Sequence, residues 1–62
     1  MFYLVDDIKF PWTDEGLKEA ERTAIYSAME RKRDVIIWTG GPNGSRRVLG
    51  IANQYGGLQV AY

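Results

Sequence analysis

The sequence predicts an α+β domain in which one helix packs on a four-stranded, mostly antiparallel sheet. Apolar residues recur at helical spacing through residues 13–33. One short run rich in β-branched and aromatic residues precedes this segment, and three such runs follow it. The later runs are separated by segments containing Gly and Asn, which are typical of hairpin turns. The predicted order is β-α-β-β-β, within one small domain that covers residues 1–62.

The first predicted strand runs from Phe2 to Phe10. Asp6 interrupts its apolar alternation, so we expect a bulge or a register slip near Asp6 and Asp7. Neighbouring residues of a strand point to opposite faces, so the two carboxylates do not form a metal-binding pair. They are better explained as charges that protect a sheet edge. Pro11 ends the strand, and Trp12 is expected to pack on the following helix.

The helix is predicted over residues 13–33. Thr13 is a suitable N-cap; acidic residues follow it, and basic residues occupy the C-terminal end, as the helix dipole favours. Small residues at four-residue spacing would let the helix approach a sheet closely: Ala20, Ala24 and Ala28. Glu21 falls inside this apolar stripe, and we interpret it as a boundary residue, the alternative being a role in an interface or binding site.

The three later strands are predicted at residues 34–40, 46–52 and 58–62, as an antiparallel meander. The first of them is apolar on both faces, which is typical of a central strand. If it lay parallel to the strand before the helix, the crossover would be right-handed.

The segment TGGPNGSRR, residues 39–47, has the wrong glycine spacing for a phosphate-binding loop, lacks the lysine of such loops, and precedes a strand rather than a helix. It fits a hairpin, with Pro42 and Asn43 at the centre of a type I turn and Gly44 in the left-handed conformation. An exposed tip of this kind can still contact a partner.

The composition argues against an enzyme. The chain has no cysteine and no histidine, which removes disulfides, thiolate metal sites and the usual general base. Neither Ser27 nor Ser45 has a cysteine or histidine to activate it, so we expect no catalytic residue, no metal and no cofactor. A small-ligand pocket near Glu21 or Asp34 is a third possibility. The longest apolar run is too short to span a membrane, and without a recognisable signal peptide or cysteine we expect a cytoplasmic protein.

The charges are balanced in total but segregated along the chain. Residues 1–30 carry three basic and seven acidic side chains, whereas residues 31–62 carry five basic and one acidic. Such asymmetry can steer a partner or help two copies associate.

An uncovered sheet face is the main functional signal. One helix covers one face, which leaves on the other some of Tyr3, Val5, Trp38, Val48 and Tyr62. A second copy or another protein would cover them. We therefore expect a homodimeric protein-binding adaptor or inhibitor; accessory factors and inhibitors of phages and mobile elements are often of this size. The candidate partner-binding residues are Tyr26, Arg31, Arg33, Trp38, Asn43, Arg46, Arg47 and Tyr55.

The alternative is a nucleic-acid-binding module with a basic patch from the helix C-terminus and the 39–47 hairpin. It joins Arg31, Lys32 and Arg33 to one of the two strand arginines, Arg46 or Arg47, and requires the joined residues to lie on one side of the molecule. Arg46 and Arg47 are adjacent in a strand and point to opposite faces, so they cannot form one clamp. Ordinary solvated charge, with Asp34 or Glu30 as the candidate ion-pair partners, is the simpler explanation. The isoelectric point of about 6.1 also argues against a polyanion as partner.

Overall fold

A computed structural model describes residues 1–61 of the chain and shows the α+β fold that the sequence predicts. Within those residues the order is β1 (Phe2–Val5), β2 (Ile8–Pro11), α1 (Asp14–Arg31), β3 (Val35–Gly40), β4 (Arg46–Ala52) and β5 (Leu58–Val60). The strands form one sheet in the order β2-β1-β3-β4-β5. Every neighbouring pair is antiparallel, and α1 packs on one face.

The prediction of a single first strand is wrong, because Asp6 and Asp7 form the turn of a hairpin. Their φ angles are 49° and 68°, the sign that both residues of a type I′ turn require. Aspartate tolerates this left-handed conformation better than most residues. Val5 is consequently paired with Ile8 in an antiparallel hairpin. The sheet has five strands rather than four, and the aspartates neither form a bulge nor lie within an edge strand.

The hairpin also decides which residues of β1 face the helix. Tyr3 and Val5 are buried in the core beneath α1, so these two of the five candidates for the uncovered face do not belong to it. Alternation along the strand places Phe2 and Leu4 on that face instead. β1 is antiparallel to β3, with Leu4 opposite Trp38, so the condition for a right-handed parallel crossover is not met.

The helix begins where the sequence predicts. Thr13 is the N-cap, and its hydroxyl accepts a hydrogen bond from the Gly16 N–H at 2.9 Å. The helix ends at Arg31, two residues before the predicted end, because Lys32 adopts the left-handed conformation with φ of 55° and donates its N–H to the Ala28 carbonyl. Trp12 stacks on Tyr3, with ring centroids 4.6 Å apart.

The core between α1 and the sheet is thin. Ala20, Ala24 and Ala28 are completely buried, as the small-residue stripe predicts, and they bring the helix close to the strands. Of the described residues, Ile37 and Val5 are the largest side chains that are fully buried. β3 occupies the centre of the sheet, as its two apolar faces predict. A core built on alanines leaves a chain of this size with modest stability.

The two later hairpins have the same turn. In the first, Gly44 donates its N–H to the Gly41 carbonyl at 3.2 Å and has φ of 79°, which confirms the predicted type I turn with a left-handed glycine. In the second, Gly56 donates to Asn53 at 3.2 Å and has φ of 84°. β4 matches its prediction, whereas β5 ends at Val60. Tyr62, part of the predicted last strand, lies outside the described residues.

Candidate protein-binding surface

The face of the sheet opposite α1 carries a continuous apolar strip, which we call the open face. One row across three strands consists of Leu4, Trp38 and Val48, and a second row pairs Ile36 with Ile51. Val48, Ile51 and Ile36 are 45%, 38% and 36% exposed. Among residues 1–61 no second layer covers this face, since α1 lies on the other side. The open face comprises Phe2, Leu4, Ile36, Trp38, Val48 and Ile51.

Two shallow depressions adjoin on the open face. One has a volume of about 330 Å³ and the other about 470 Å³, and Leu4 lines both. Leu4 is only 4% exposed, although it lies outside the main core cluster, so neighbouring side chains on the open face bury it. The second depression is bounded by the turn of the 39–47 hairpin, through Gly41, Pro42 and Gly44.

Charged groups of both signs border the apolar strip. Arg33 and Arg46 line the smaller depression together with Asp6, Asp7 and Asp34. In the described part of the chain, no three acidic side chains come together in a way that could hold a metal ion. The border therefore offers separate hydrogen-bonding and ion-pairing groups around an apolar centre, which is the usual arrangement of a protein–protein interface.

The Asp6–Asp7 turn is held in place by the helix. The Ser27 hydroxyl donates a hydrogen bond to Asp6 Oδ2 at 2.6 Å. Arg31 Nη1 lies 3.7 Å from Asp6 Oδ1, and the two side chains are 50% and 26% exposed. An ion pair this exposed contributes little, so the hydroxyl hydrogen bond is the stronger tie. It positions one end of the open face relative to α1.

The other end of the open face depends on a close approach at Gly40. The Phe2 ring occupies the space that a Cβ at Gly40 would need. Lys9 Nζ lies over the same ring, 4.9 Å from its centroid. The glycine thus allows the Phe2 ring to approach β3 closely and extend the apolar strip.

Three of the predicted partner-binding residues come together, and five do not. Arg33, Trp38 and Arg46 line the same depression of the open face. Arg31 is engaged with Asp6. Asn43 lies in the β3–β4 turn, where its Oδ1 accepts from the Ser45 hydroxyl at 2.8 Å. The others are Arg47, opposite Thr39 on the helix side of the sheet; Tyr26, on α1; and Tyr55, 86% exposed in the β4–β5 turn.

The basic residues do not form one patch. Arg46 lies opposite Gly40 and Arg47 opposite Thr39, so the two side chains leave the sheet on opposite faces. Within residues 1–61 neither arginine forms an ion pair with Asp34 or Glu30. Arg33 shares its depression with three aspartates. In the described residues, Arg46 and Arg33 therefore lie in one depression, whereas Arg47 lies on the opposite face of the sheet.

A second apolar surface lies between α1 and β5, and we call it the α1–β5 groove. It has a volume of about 460 Å³. Tyr26 and Met29 are 69% and 52% exposed there. Glu21, which the sequence placed at the margin of the helix stripe, also lines this groove and is half-buried. The remaining lining residues are Lys18, Arg22, Ile25 and Leu58.

Sequence reasoning missed Leu4, Ile36 and Ile51 as members of the open face. The alternation in β3 assigned Ile36 to the same side as Trp38, so that residue was within reach of the pattern. Leu4 was missed because the segment from Phe2 to Phe10 was assigned to one strand that continues through Asp6 and Asp7. The available signal was two consecutive residues that accept the left-handed conformation between apolar runs, which indicates a hairpin.

In the described part of the chain, α1 is too polar to serve as a membrane span. No protein-family model, no curated protein and no solved structure gives a significant match to the chain.

Proposed function

We propose that this chain is a non-enzymatic protein-binding domain that forms a homodimer and uses its open face to occupy a surface of another protein. The observation that carries the proposal is the apolar strip centred on Trp38, with Ile36, Val48 and Ile51 each more than a third exposed. Extended apolar patches of this kind are uncommon on proteins that have no partner.

The core of this chain buries little apolar surface, and covering the open face would increase that buried area. Fully burying an aliphatic side chain contributes roughly 1.5–3 kcal/mol. The helix-side core is built largely on alanines, with Val5 and Ile37 as its largest fully buried side chains. A second layer against Trp38 and its neighbours would therefore benefit this molecule more than it would a larger domain.

The mixed charge around the strip favours a protein over a polyanion. A phosphate backbone needs a predominantly positive surface, and binding to it depends steeply on salt. Here Arg33 and Arg46 line one depression together with Asp6, Asp7 and Asp34. We propose a partner surface that is apolar at its centre and carries charges of both signs at its margin.

The mode of action that fits is occupation of a surface. An adaptor or inhibitor of this kind needs neither a catalytic group nor a cofactor. A cytoplasmic location and an origin in a phage or another mobile element belong to the same proposal; they rest on the size and composition of the chain.

The experiment compares two Ile→Lys variants. Ile51→Lys places a charge on the open face, whereas Ile8→Lys places it at an exposed isoleucine of β2. A protein captured from the host by the wild-type chain is purified, and its affinity for each variant is measured by calorimetry. We expect Ile51→Lys to weaken binding at least about tenfold and Ile8→Lys to leave it unchanged. Equal affinities for both variants would refute the open face as the binding surface.

The same capture tests the nucleic-acid alternative. Arg33 and Arg46 share a depression, so the Arg33→Gln, Arg46→Gln double variant is the relevant change. If the captured ligand is DNA or RNA, its binding falls steeply with salt and the double variant lowers that slope. Binding that is nearly independent of salt and is lost in Ile51→Lys supports the protein-binding proposal.

A further inference from the structure

The outer edge of β5 is exposed and carries no charge. The register pairs Gln59 with Ile51, and the flanking Asn53–Gly57 and Ala61–Leu49 backbone hydrogen bonds are 2.9 Å and 2.7 Å long. Hydrogen-bonded and non-hydrogen-bonded pairs alternate along an antiparallel ladder. Gln59 therefore directs its backbone groups toward β4, whereas Leu58 and Val60 direct theirs outward.

No described residue protects this edge. Native sheets commonly keep an edge strand short, as β5 is at three residues, or blunt it with a lysine, a proline, a bulge or a covering element. The residues from Gly56 to Ala61 include neither a charge nor a proline. The helix packs chiefly over β1 to β4, and β5 extends beyond it. β5 therefore presents two N–H and two C=O groups to an additional strand.

We propose that β5 pairs antiparallel with β5 of a second copy of this chain. With the two-fold axis at Gln59, Leu58 of each copy lies opposite Val60 of the other. Both residues direct their backbone groups outward, so this register forms four hydrogen bonds and leaves none of these groups unpaired. It brings no like charges together, because the three residues of β5 are uncharged.

The side chains beside the β5 edge also favour a second copy of this chain as the pairing partner. Leu58 and Val60 point to the face of the sheet that carries α1, so pairing places apolar residues of both copies next to one another on that face, between the two helices. Four hydrogen bonds alone are a small interface, and stable ones bury at least about 1,000 Å². The α1–β5 groove, with the exposed Tyr26 and Met29, would supply further apolar area next to the axis.

This dimer has a consequence for binding. A two-fold axis perpendicular to the sheet joins ten strands into one sheet, with both helices on one side. Both open faces then lie on the opposite side and stay accessible. The inference rests on the homodimer of the proposed function. It leaves the open face free to bind a partner, so the edge pairing and the partner-binding surface can be refuted separately.

The first measurement uses the unaltered 62-residue chain. Backbone amide hydrogen exchange is followed by NMR at a concentration where light scattering reports a dimer. We expect the Leu58 and Val60 amides to exchange at least about a hundredfold more slowly than in diluted monomer, while the Gln59 amide is protected in both. A chain that stays monomeric at millimolar concentration overturns the proposal, and so does a dimer in which Leu58 and Val60 exchange as fast as in the monomer.

The second measurement uses substitutions at Val60. Val60→Pro removes an outward N–H from each copy, and Val60→Thr, which keeps it, is the matched control. Sedimentation equilibrium is expected to show a dissociation constant raised about thirtyfold in the proline variant and little changed in the threonine variant.

Ile51→Lys is measured alongside and is expected to remain dimeric, since Ile51 lies on the open face. A dimer lost in Ile51→Lys but kept in Val60→Pro would place the contact on the open face and overturn the edge pairing. A dimer that is intact in Ile51→Lys while partner binding is lost supports the edge pairing and the binding proposal together. If Ile51→Lys still binds the partner, the open face is not the binding surface, and the edge pairing is unaffected.

Discussion

The two edge strands of the sheet, β2 and β5, differ in how they are protected. In β2 the residues that point outward are Lys9 and Pro11. Pro11 has no N–H, and its carbonyl accepts a hydrogen bond from Thr13 at 2.9 Å. In β5 the outward residues are Leu58 and Val60, which carry no such protection. The β2 edge of this sheet is therefore protected against pairing with another strand, and the β5 edge is not.

The largest expected effect comes from two proline substitutions in β5. Gln59→Pro removes an N–H that points toward β4, so we expect a loss of about 2 to 3 kcal/mol in the free energy of unfolding. Val60→Pro removes an outward N–H and should cost less than about 1 kcal/mol in the monomer. Urea denaturation at low micromolar concentration measures both. Equal losses would show that the assignment of inward and outward groups is wrong.

A smaller effect is expected in the turns that lead to the two edges. Gly56→Ala forces a left-handed conformation on alanine at φ of 84° and should destabilise the chain by about 1 to 2 kcal/mol. Asp7→Gly relieves the same kind of strain at φ of 68° and should stabilise it by about 0.5 kcal/mol. Thermal unfolding of both variants measures whether each substitution lowers or raises the stability of the chain. A stabilising Gly56→Ala would contradict the turn assigned to residues 53–57.

The third expected effect concerns how β2 is anchored to the helix. Ser27→Ala removes the 2.6 Å hydrogen bond to Asp6, and we expect a loss of about 1 kcal/mol. Arg31→Met removes the 3.7 Å ion pair and should cost less than about 0.5 kcal/mol, because that pair is exposed. A double-mutant cycle with Asp6→Ala isolates each coupling. A larger loss of stability in Arg31→Met than in Ser27→Ala would mean that the ion pair, rather than the hydrogen bond, anchors the turn.

The smallest change in stability is expected when the protection of β2 is removed. The Lys9→Val, Pro11→Val double variant should unfold within about 0.5 kcal/mol of the wild type, since both residues are exposed. Its association should change, however, because both edges are then open and pairing can continue without closing. Light scattering against concentration is expected to show species larger than a dimer. A wild-type profile would indicate that Lys9 and Pro11 do not protect the edge.

Much of the fold could be predicted from local pattern. The helix start at Thr13, the stripe of alanines, the central position of β3 and the turn at Pro42 to Gly44 each depend on a few neighbouring residues. The first segment could not be predicted in this way. Reading through Asp6 and Asp7 gave one strand, whereas two left-handed residues reverse the chain and exchange the faces of the residues around them.

The candidate site was predictable only in part. Trp38 and Val48 were correctly assigned to the uncovered face, because alternation within each strand is a local property. The burial of Leu4 and the depression that brings Arg33 near Arg46 depend on which strands lie side by side. The groove between α1 and β5 depends on how far the helix reaches across the sheet.

The sequence by itself determined the helix and the three later strands, because caps, periodicity and turn residues act over a few positions. It also set the thin core, since alanine at four-residue spacing has little volume to bury. Only the tertiary structure decided the strand order, the residues of the open face and the difference between the two edges. These follow from pairing between different strands, much of it between segments far apart in the chain. Leu4 pairs with Trp38, Trp38 pairs with Val48, and β5 pairs with β4 alone, only after the sheet has formed.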